Sequence, residues 1–416
     1  MTQQQENETP EIVSDFLLAG KDSMPVAEGV HLVSGQGNSV LVETERGLIL
    51  TDSGPGGKVT HAMLEQVRAL SDKPLLAIVY SHGHVGYNHG MHHWLEDAER
   101  RGNPAPQRIA QARLARRYRR YQETWGLQAH LNGIQFNARM PEKPPEKWFT
   151  FPTVEFDDHH IIDGGDRRVE VLAAPSETDD AMALWVPDCK VLYAGPAFIK
   201  SIPNIGTPLR TLRDPVRWAE TMERLMALQP EVLVPEFGKP VYGREEVREV
   251  MQLTVDALRY LRRETVRRMN QGMTEWEILH DMEYPENLFG HPLMRPSYGM
   301  PEYIVRDIWR SENGWWDRNP THLHPAAPGD VSAALREAVA DPEHLMRCAQ
   351  AHRDNQRPQL ALHVLDLLSP ESPRDDYARR ARALKAELLE QLAEASPSFV
   401  SAQIYRSEAA RLANGS

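Results

Sequence analysis

Leu75-Leu76-Ala77-Ile78-Val79-Tyr80-Ser81-His82-Gly83-His84-Val85-Gly86-Tyr87-Asn88-His89-Gly90, residues 75–90, runs from an apolar strand through a histidine pair to a helix start. The first six residues form the short apolar run typical of a strand buried in a sheet. His82 and His84 follow on the turn that leaves it. Neutral imidazoles two residues apart on such a turn can both reach one cation at about 2 Å. His89 is an extra ligand candidate if the helix opening near Gly90 begins late, and His92 and His93 are weaker ones.

The surrounding chain is that of a folded protein. Its 416 residues suffice for two or three domains, and 41% apolar with 25% charged residues excludes extensive disorder. A formal charge of −12 argues against a nucleic-acid binder, which needs a basic face. The arginine-rich run Arg113–Arg120 reads as a solvated helix face. Two distant cysteines, Cys189 and Cys348, offer neither a disulfide framework nor a thiolate site. The polar, acidic residues 1–11 resemble no signal or transit peptide, and no apolar run is long enough to span a membrane, so a cytoplasmic location is the expectation.

Residues 1–25 read as an amino-terminal extension. From Val26 to about residue 245, strand-like runs alternate with helical stretches: Val30–Val33, Ser39–Val42, Gly47–Asp52, Val169–Ala174, Ala183–Val186, Val191–Ala194 and Val232–Pro235. The order suggests an α/β architecture of two sheets between helices. Residues 246–416 are helical. Leu253, Ala257, Leu261 and Thr265 line one face of a helix ending near Asn270-Gln271-Gly272, and Thr274 with Glu277 has capping-box spacing. Asn319–Pro328 reads as a connector, with helices over Leu360–Leu368 and Asp376–Ala395 beyond it.

Strand, His-x-His and helix in that order resemble the metallo-β-lactamase fold, an αββα sandwich. The helical part resembles the dimerisation region of class III alkylsulfatases, zinc enzymes of that superfamily that hydrolyse alkyl sulfate esters. The matching stretches are Leu258–Leu261, Met269–Thr274, Arg295-Pro296-Ser297-Tyr298-Gly299 and Gly314-Trp315-Trp316-Asp317-Arg318-Asn319-Pro320-Thr321. Together they cover most of Val26–Gly415 and imply a homodimer. Those enzymes also carry a sterol-carrier-like domain at the carboxy end, for which this sequence has no room, so tail capture by such a domain is not expected.

The resemblance implies one metal held by His82, His84 and Glu177, the last in Ala174-Pro175-Ser176-Glu177-Thr178. The family's second-metal ligands would fall at Gly86, Tyr87, Pro196 and Phe237, none with a ligating side chain. A mononuclear site follows, with one divalent ion. Two histidines and a carboxylate with open positions suit catalytic zinc, favoured by the resemblance, and equally non-haem Fe(II). Asp52 matches a position that buttresses the site loops. Arg295 and Tyr298 match the segment from which the sulfatases draw anion-binding groups, and can equally pack a domain junction. Tyr87 and Asn88 stand where metal ligands would, able to hydrogen-bond a substrate oxygen or a water; Tyr87 or Glu236 is the candidate for proton transfer. His159-His160, on an expected turn, and His322-x-His324, in the connector, read as non-ligating.

The expected activity is metal-dependent hydrolysis of a sulfate ester or related small, possibly anionic, organic substrate. The alternatives are non-hydrolytic, Fe-type chemistry at the same site, and a non-catalytic dimeric binding protein.

Overall fold

The computed structural model describes residues 23–137, 139–339, 341–368 and 376–414. The expected amino-terminal extension lies outside the described residues up to residue 22. Seven strands form one sheet in sequential order: β1 (Met24–Ala27), β2 (Val30–Gly35), β3 (Gly37–Glu43), β4 (Leu48–Thr51), β5 (Leu75–Val79), β6 (Gln107–Gln111) and β7 (Val154–Phe156). The second sheet has β8 (His159–Asp163), β9 (Arg168–Ala173), β10 (Met182–Val186), β11 (Val191–Tyr193), β12 (Val232–Val234) and β13 (Val241–Tyr242), in the order β13-β12-β11-β10-β9-β8.

Alternation along the strands builds the layers. Val40 and Val42 on β3, Ala77 and Val79 on β5, and Val169, Val171 and Ala173 on β9 point into one shared core between the sheets. The β10 strand is buried along its whole length because it serves two cores. Met182, Leu184 and Val186 face the inter-sheet core, whereas Ala183 and Trp185 face helices on the outer side. Those helices are Pro215–Met226, opened by Asp214 accepting from Val216 N and Arg217 N, and Arg244–Asn270. On the first sheet, helix Gly57–Leu70 packs against β2 and buries Met63 and Val67. This is the expected αββα sandwich, followed by an all-helical carboxy-terminal region.

By packing, the described chain forms two compact units: one up to Gln128 with Pro141–Ser311, the other Ala129–Met140 with Glu312–Ser416. Helix Arg244–Asn270 falls in the first because Val247, Met251, Val255, Leu258 and Leu261 share a core with Trp218 and Met222. Ala257, Leu261 and Thr265 of its expected inner face are buried, while Leu253 lies at the margin. Thr274 and Glu277 form the expected capping box. The second unit is built on Leu345, Met346, Leu365, Leu384 and Leu388. Its helices include Pro358–Asp366 and Asp376–Ala395.

One local expectation is corrected. His159-His160 lies not on a turn but in edge strand β8, where only Ile162 is buried and the usual strand signal is diluted.

Candidate metal centre

Parallel pairing brings the site loops together. Strands β4 and β5 run parallel, so the loops at their carboxyl ends emerge side by side. The same holds for β11 and β12, whose following loops are tied by Glu236 N donating to Phe198 O at 3.1 Å.

Asp52 leaves β4 with φ 56 and fastens the histidine loop. Its Oδ1 accepts from Ser81 N and from Asn88 Nδ2, each at 2.8 Å. Burial raises its carboxyl to about 6. Gly83, between the two histidines, donates its N–H to Asp180 Oδ2 at 2.7 Å. A Cβ at this position would stand 2.8 Å from both Asp180 Oδ2 and Arg117 Cδ. Arg117 ion-pairs with Asp179 and Asp180. The arginine-rich helix, Arg113–Glu123, is therefore not solvated throughout: Arg117 turns inward beside Leu114 and Tyr118. Its phase, three residues after Leu114 and four before Tyr121, carries that signal in the sequence.

His82 is fully buried, with Nδ1 3.0 Å from Ser81 Oγ and Nε2 2.8 Å from His84 Nδ1. Burial holds the His82 imidazole down to about 3, and burial together with His82 holds His84 well below its ordinary value. Both rings are thus kept in the neutral form a metal needs. Glu177 Oε2 lies 3.7 Å from His84 Nδ1. Its Oε1 accepts from Asn204 Nδ2 and Arg213 Nη1, each at 2.8 Å, which fixes the carboxylate. The donor atoms of His82, His84 and Glu177 all lie within 4.8 Å of one another, the single such group of three among the described residues. Two neutral imidazoles and an oriented carboxylate at this spacing fit one divalent ion bound at about 2 Å.

The positions matching the second-metal ligands are filled differently. Tyr87, Phe237 and Ile199 form a small buried apolar cluster. Gly86 has φ 107, and Pro196 sits in the turn Gly195–Ala197. The Tyr87 ring lies 4.3 Å from that of His82, and its phenol donates to the Glu236 carboxylate. Glu236 is 1% exposed, with Oε1 3.9 Å from His82 Nε2.

Other candidates lie elsewhere. Asn88 is removed as a substrate contact because its amide is spent within the loops: Oδ1 accepts from Ser53 N at 2.9 Å while Nδ2 donates to Asp52. His89 stacks on Trp148 at 4.1 Å, and its Nε2 accepts from Gly86 N at 3.0 Å, so it stands apart from the three-ligand group. Arg295 is exposed and holds the neighbouring loop through its carbonyl, which accepts from Ser201 Oγ. Tyr298 is half-buried, and the guanidinium near it is that of Arg210, which also senses Tyr121, Arg213 and Glu177. Sequence reasoning missed Arg117, Asn204, Arg210 and Arg213. His159 pairs with Glu170 and His322 with Asp317. Both cysteines are free, and no helix among the described residues is long and apolar enough to cross a membrane.

The family model of the Metallo-beta-lactamase superfamily matches residues 32–236, and that of Alkyl sulfatase dimerisation matches residues 274–415. A linear primary-alkylsulfatase of Pseudomonas sp. is 29% identical over 316 residues, 71% of this chain and 59% of the relative. An (R)-specific secondary-alkylsulfatase of Pseudomonas sp. is 24% identical over 407 residues, 91% of this chain and 60% of the relative. The chain thus spans about three fifths of the length of these curated relatives. The solved stereoselective inverting sec-alkylsulfatase of Pseudomonas sp. superimposes with a TM-score of 0.83 at 21% identity, covering 95% of this chain and 66% of that one.

Proposed function

For a chain that is an alkylsulfatase-like protein of the metallo-β-lactamase fold, we propose hydrolysis of a sulfate ester or related small anionic ester at a single divalent metal. The observation that carries this reading is the convergence of His82, His84 and Glu177 beside a second-metal region packed with Tyr87, Phe237 and Ile199. Zinc is favoured over iron because imidazole and carboxylate donors with an open position are its common catalytic set, although Fe(II) uses the same donors. The ion would supply Lewis acidity toward a substrate or water oxygen.

The remaining roles fall to the chain. Asn204 and Arg213 orient Glu177. Arg210, with Tyr298 beside it, is placed to balance the charge of a sulfate group. Tyr87, backed by Glu236, can hold or pass a proton at its phenolic oxygen. Phe237 and Ile199 keep that side of the site dry. In this reading residues 26–245 carry the chemistry, residues 246–416 form the dimerisation-type portion of a homodimer, and the protein is cytoplasmic, in keeping with its two free cysteines.

Metal analysis of the purified chain beside His84→Ala, with sulfate release from alkyl sulfates as the activity assay, tests the proposal. The expected result is about one ion per chain, lost together with activity in the variant. Two ions would overturn the mononuclear site. No ion, even after reconstitution, would overturn the metalloenzyme and leave a binding protein.

A further inference from the structure

The Ser81 hydroxyl stands between a buried carboxylate and a histidine of the three-residue group. Its Oγ lies 3.0 Å from His82 Nδ1, and the residue is fully buried. The backbone fixes it there: Ser81 N donates to Asp52 Oδ1 at 2.8 Å, and Ser81 O accepts from Met182 N at 2.9 Å. Asp52 Oδ1 takes two donors, Ser81 N and Asn88 Nδ2. Asp52 Oδ2 is buried with no hydrogen-bond partner of its own among the described residues. The Ser81 side chain favours the charged form of Asp52, so its O–H is directed at that carboxylate.

The Tyr193 phenol is the competing acceptor, fully buried and also within the influence of the Ser81 hydroxyl. Asp52 is ionised above about pH 6, and hydrogen bonds to an ionised group are roughly twice as strong as those between neutral groups. The carboxylate therefore takes the proton. A hydroxyl that gives its only proton to Asp52 can meet a ring nitrogen only as an acceptor. The neutral His82 ring then carries its hydrogen on Nδ1 and leaves Nε2 with a bare lone pair. Nε2 is the nitrogen that faces His84 Nδ1, at 2.8 Å. In the opposite arrangement, with Ser81 donating to Nδ1, an Nε2–H would point at His84 and close that lone pair to a metal.

We propose that Ser81 is a positioning residue for the metal centre: it links Asp52 to His82 and holds the ring in the Nδ1–H tautomer, with Nε2 free to bind. This rests on the metal-centre reading above. With His82 Nε2 bare, the short contact between the rings requires its hydrogen on His84 Nδ1. Of the two histidines, only His84 must then give up a proton at its facing nitrogen to become a ligand.

The test is nitrogen NMR of the full chain labelled at histidine nitrogens and stripped of metal, with the His82 signals identified by their loss in His82→Gln. The wild type is expected to show His82 protonated at Nδ1. Ser81→Ala is expected to lose that preference and to weaken Zn(II) binding by about 10–100-fold in chelator competition. Ser81→Thr, which keeps the hydroxyl, is expected to restore both. A wild-type His82 protonated at Nε2 would overturn the proposal. So would an unchanged Nδ1–H tautomer in Ser81→Ala, because a merely structural serine alters stability or affinity without moving that proton. Should Ser81→Ala not fold, the wild-type tautomer decides alone. A wild type that binds no Zn(II) strikes the underlying reading, whereas the tautomer of its metal-free ring still decides this one.

Discussion

Asp52 shows how much of the site rests on single side chains set behind it. In the fold its carboxyl titrates near 6 instead of 3.8. Between those values the native state holds a proton that the unfolded chain has released, so stability falls as pH rises through that window. At about 1.4 kcal/mol per unit the loss is about 3 kcal/mol. Metal-free wild type should therefore lose about that much unfolding free energy relative to Asp52→Asn between about pH 4 and 6, measured by urea denaturation at each pH. Parallel curves for the two proteins would show that Asp52 is ionised at no cost. The candidate ligands were legible in the sequence because His82 and His84 announce themselves by local spacing and Glu177 by register with the family. Their supports were not. The donors to Glu177 come from Asn204 and Arg213, 27 and 36 residues further along, and only the folded loops bring them together.

Among the elements, helix Arg113–Glu123 separates what patterning can and cannot say. Composition marked it as a solvated basic face, and Arg113, Arg116 and Arg119 are exposed. Arg117 instead reaches Asp180, which holds the N–H of Gly83 between the two candidate ligand histidines. Arg117→Ala should lower metal affinity by about 10–100-fold, as expected for a group that orients the ligand loop. Arg116→Ala should change stability by less than about 0.5 kcal/mol and leave affinity alone. Equal affinities for the two variants, read by chelator competition, would separate the clamp from the site. The strands show the same division. Central strands such as β5 and β10 were readable as apolar runs because both faces are covered. Strands β6 and β8 were not, since Gln107-Arg108-Ile109-Ala110-Gln111 and His159-His160-Ile161-Ile162-Asp163 mix polar residues into short segments.

For the molecule as a whole, the two compact units have separate cores. Leu365 is fully buried in the second. Leu365→Ala should destabilise that unit by about 2–5 kcal/mol. Metal stoichiometry should stay at the wild-type value, because the proposed ligands belong to the first unit. Loss of metal in parallel with the second unit's stability would show that the centre depends on the helical region. The change from alternating strands to long helices was legible, but the extent of each unit was not. Helix Arg244–Asn270 carries an apolar face that suits either a helical bundle or a sheet cover, and its partners Trp218 and Met222 decide the matter.

The apolar cluster of Tyr87, Phe237 and Ile199 also bears on what could be built beside the three-residue group. A second metal site could not be assembled there by placing ligands one at a time. A histidine at 87 or 237 opens a gap in a packed cluster before it finds an ion. An aspartate at 86 must adopt φ 107, where side chains rarely sit. Each such substitution alone would cost stability with no compensating ion until the others were in place. Engineering a second ion into this chain would therefore require several simultaneous changes together with repacking of the cluster.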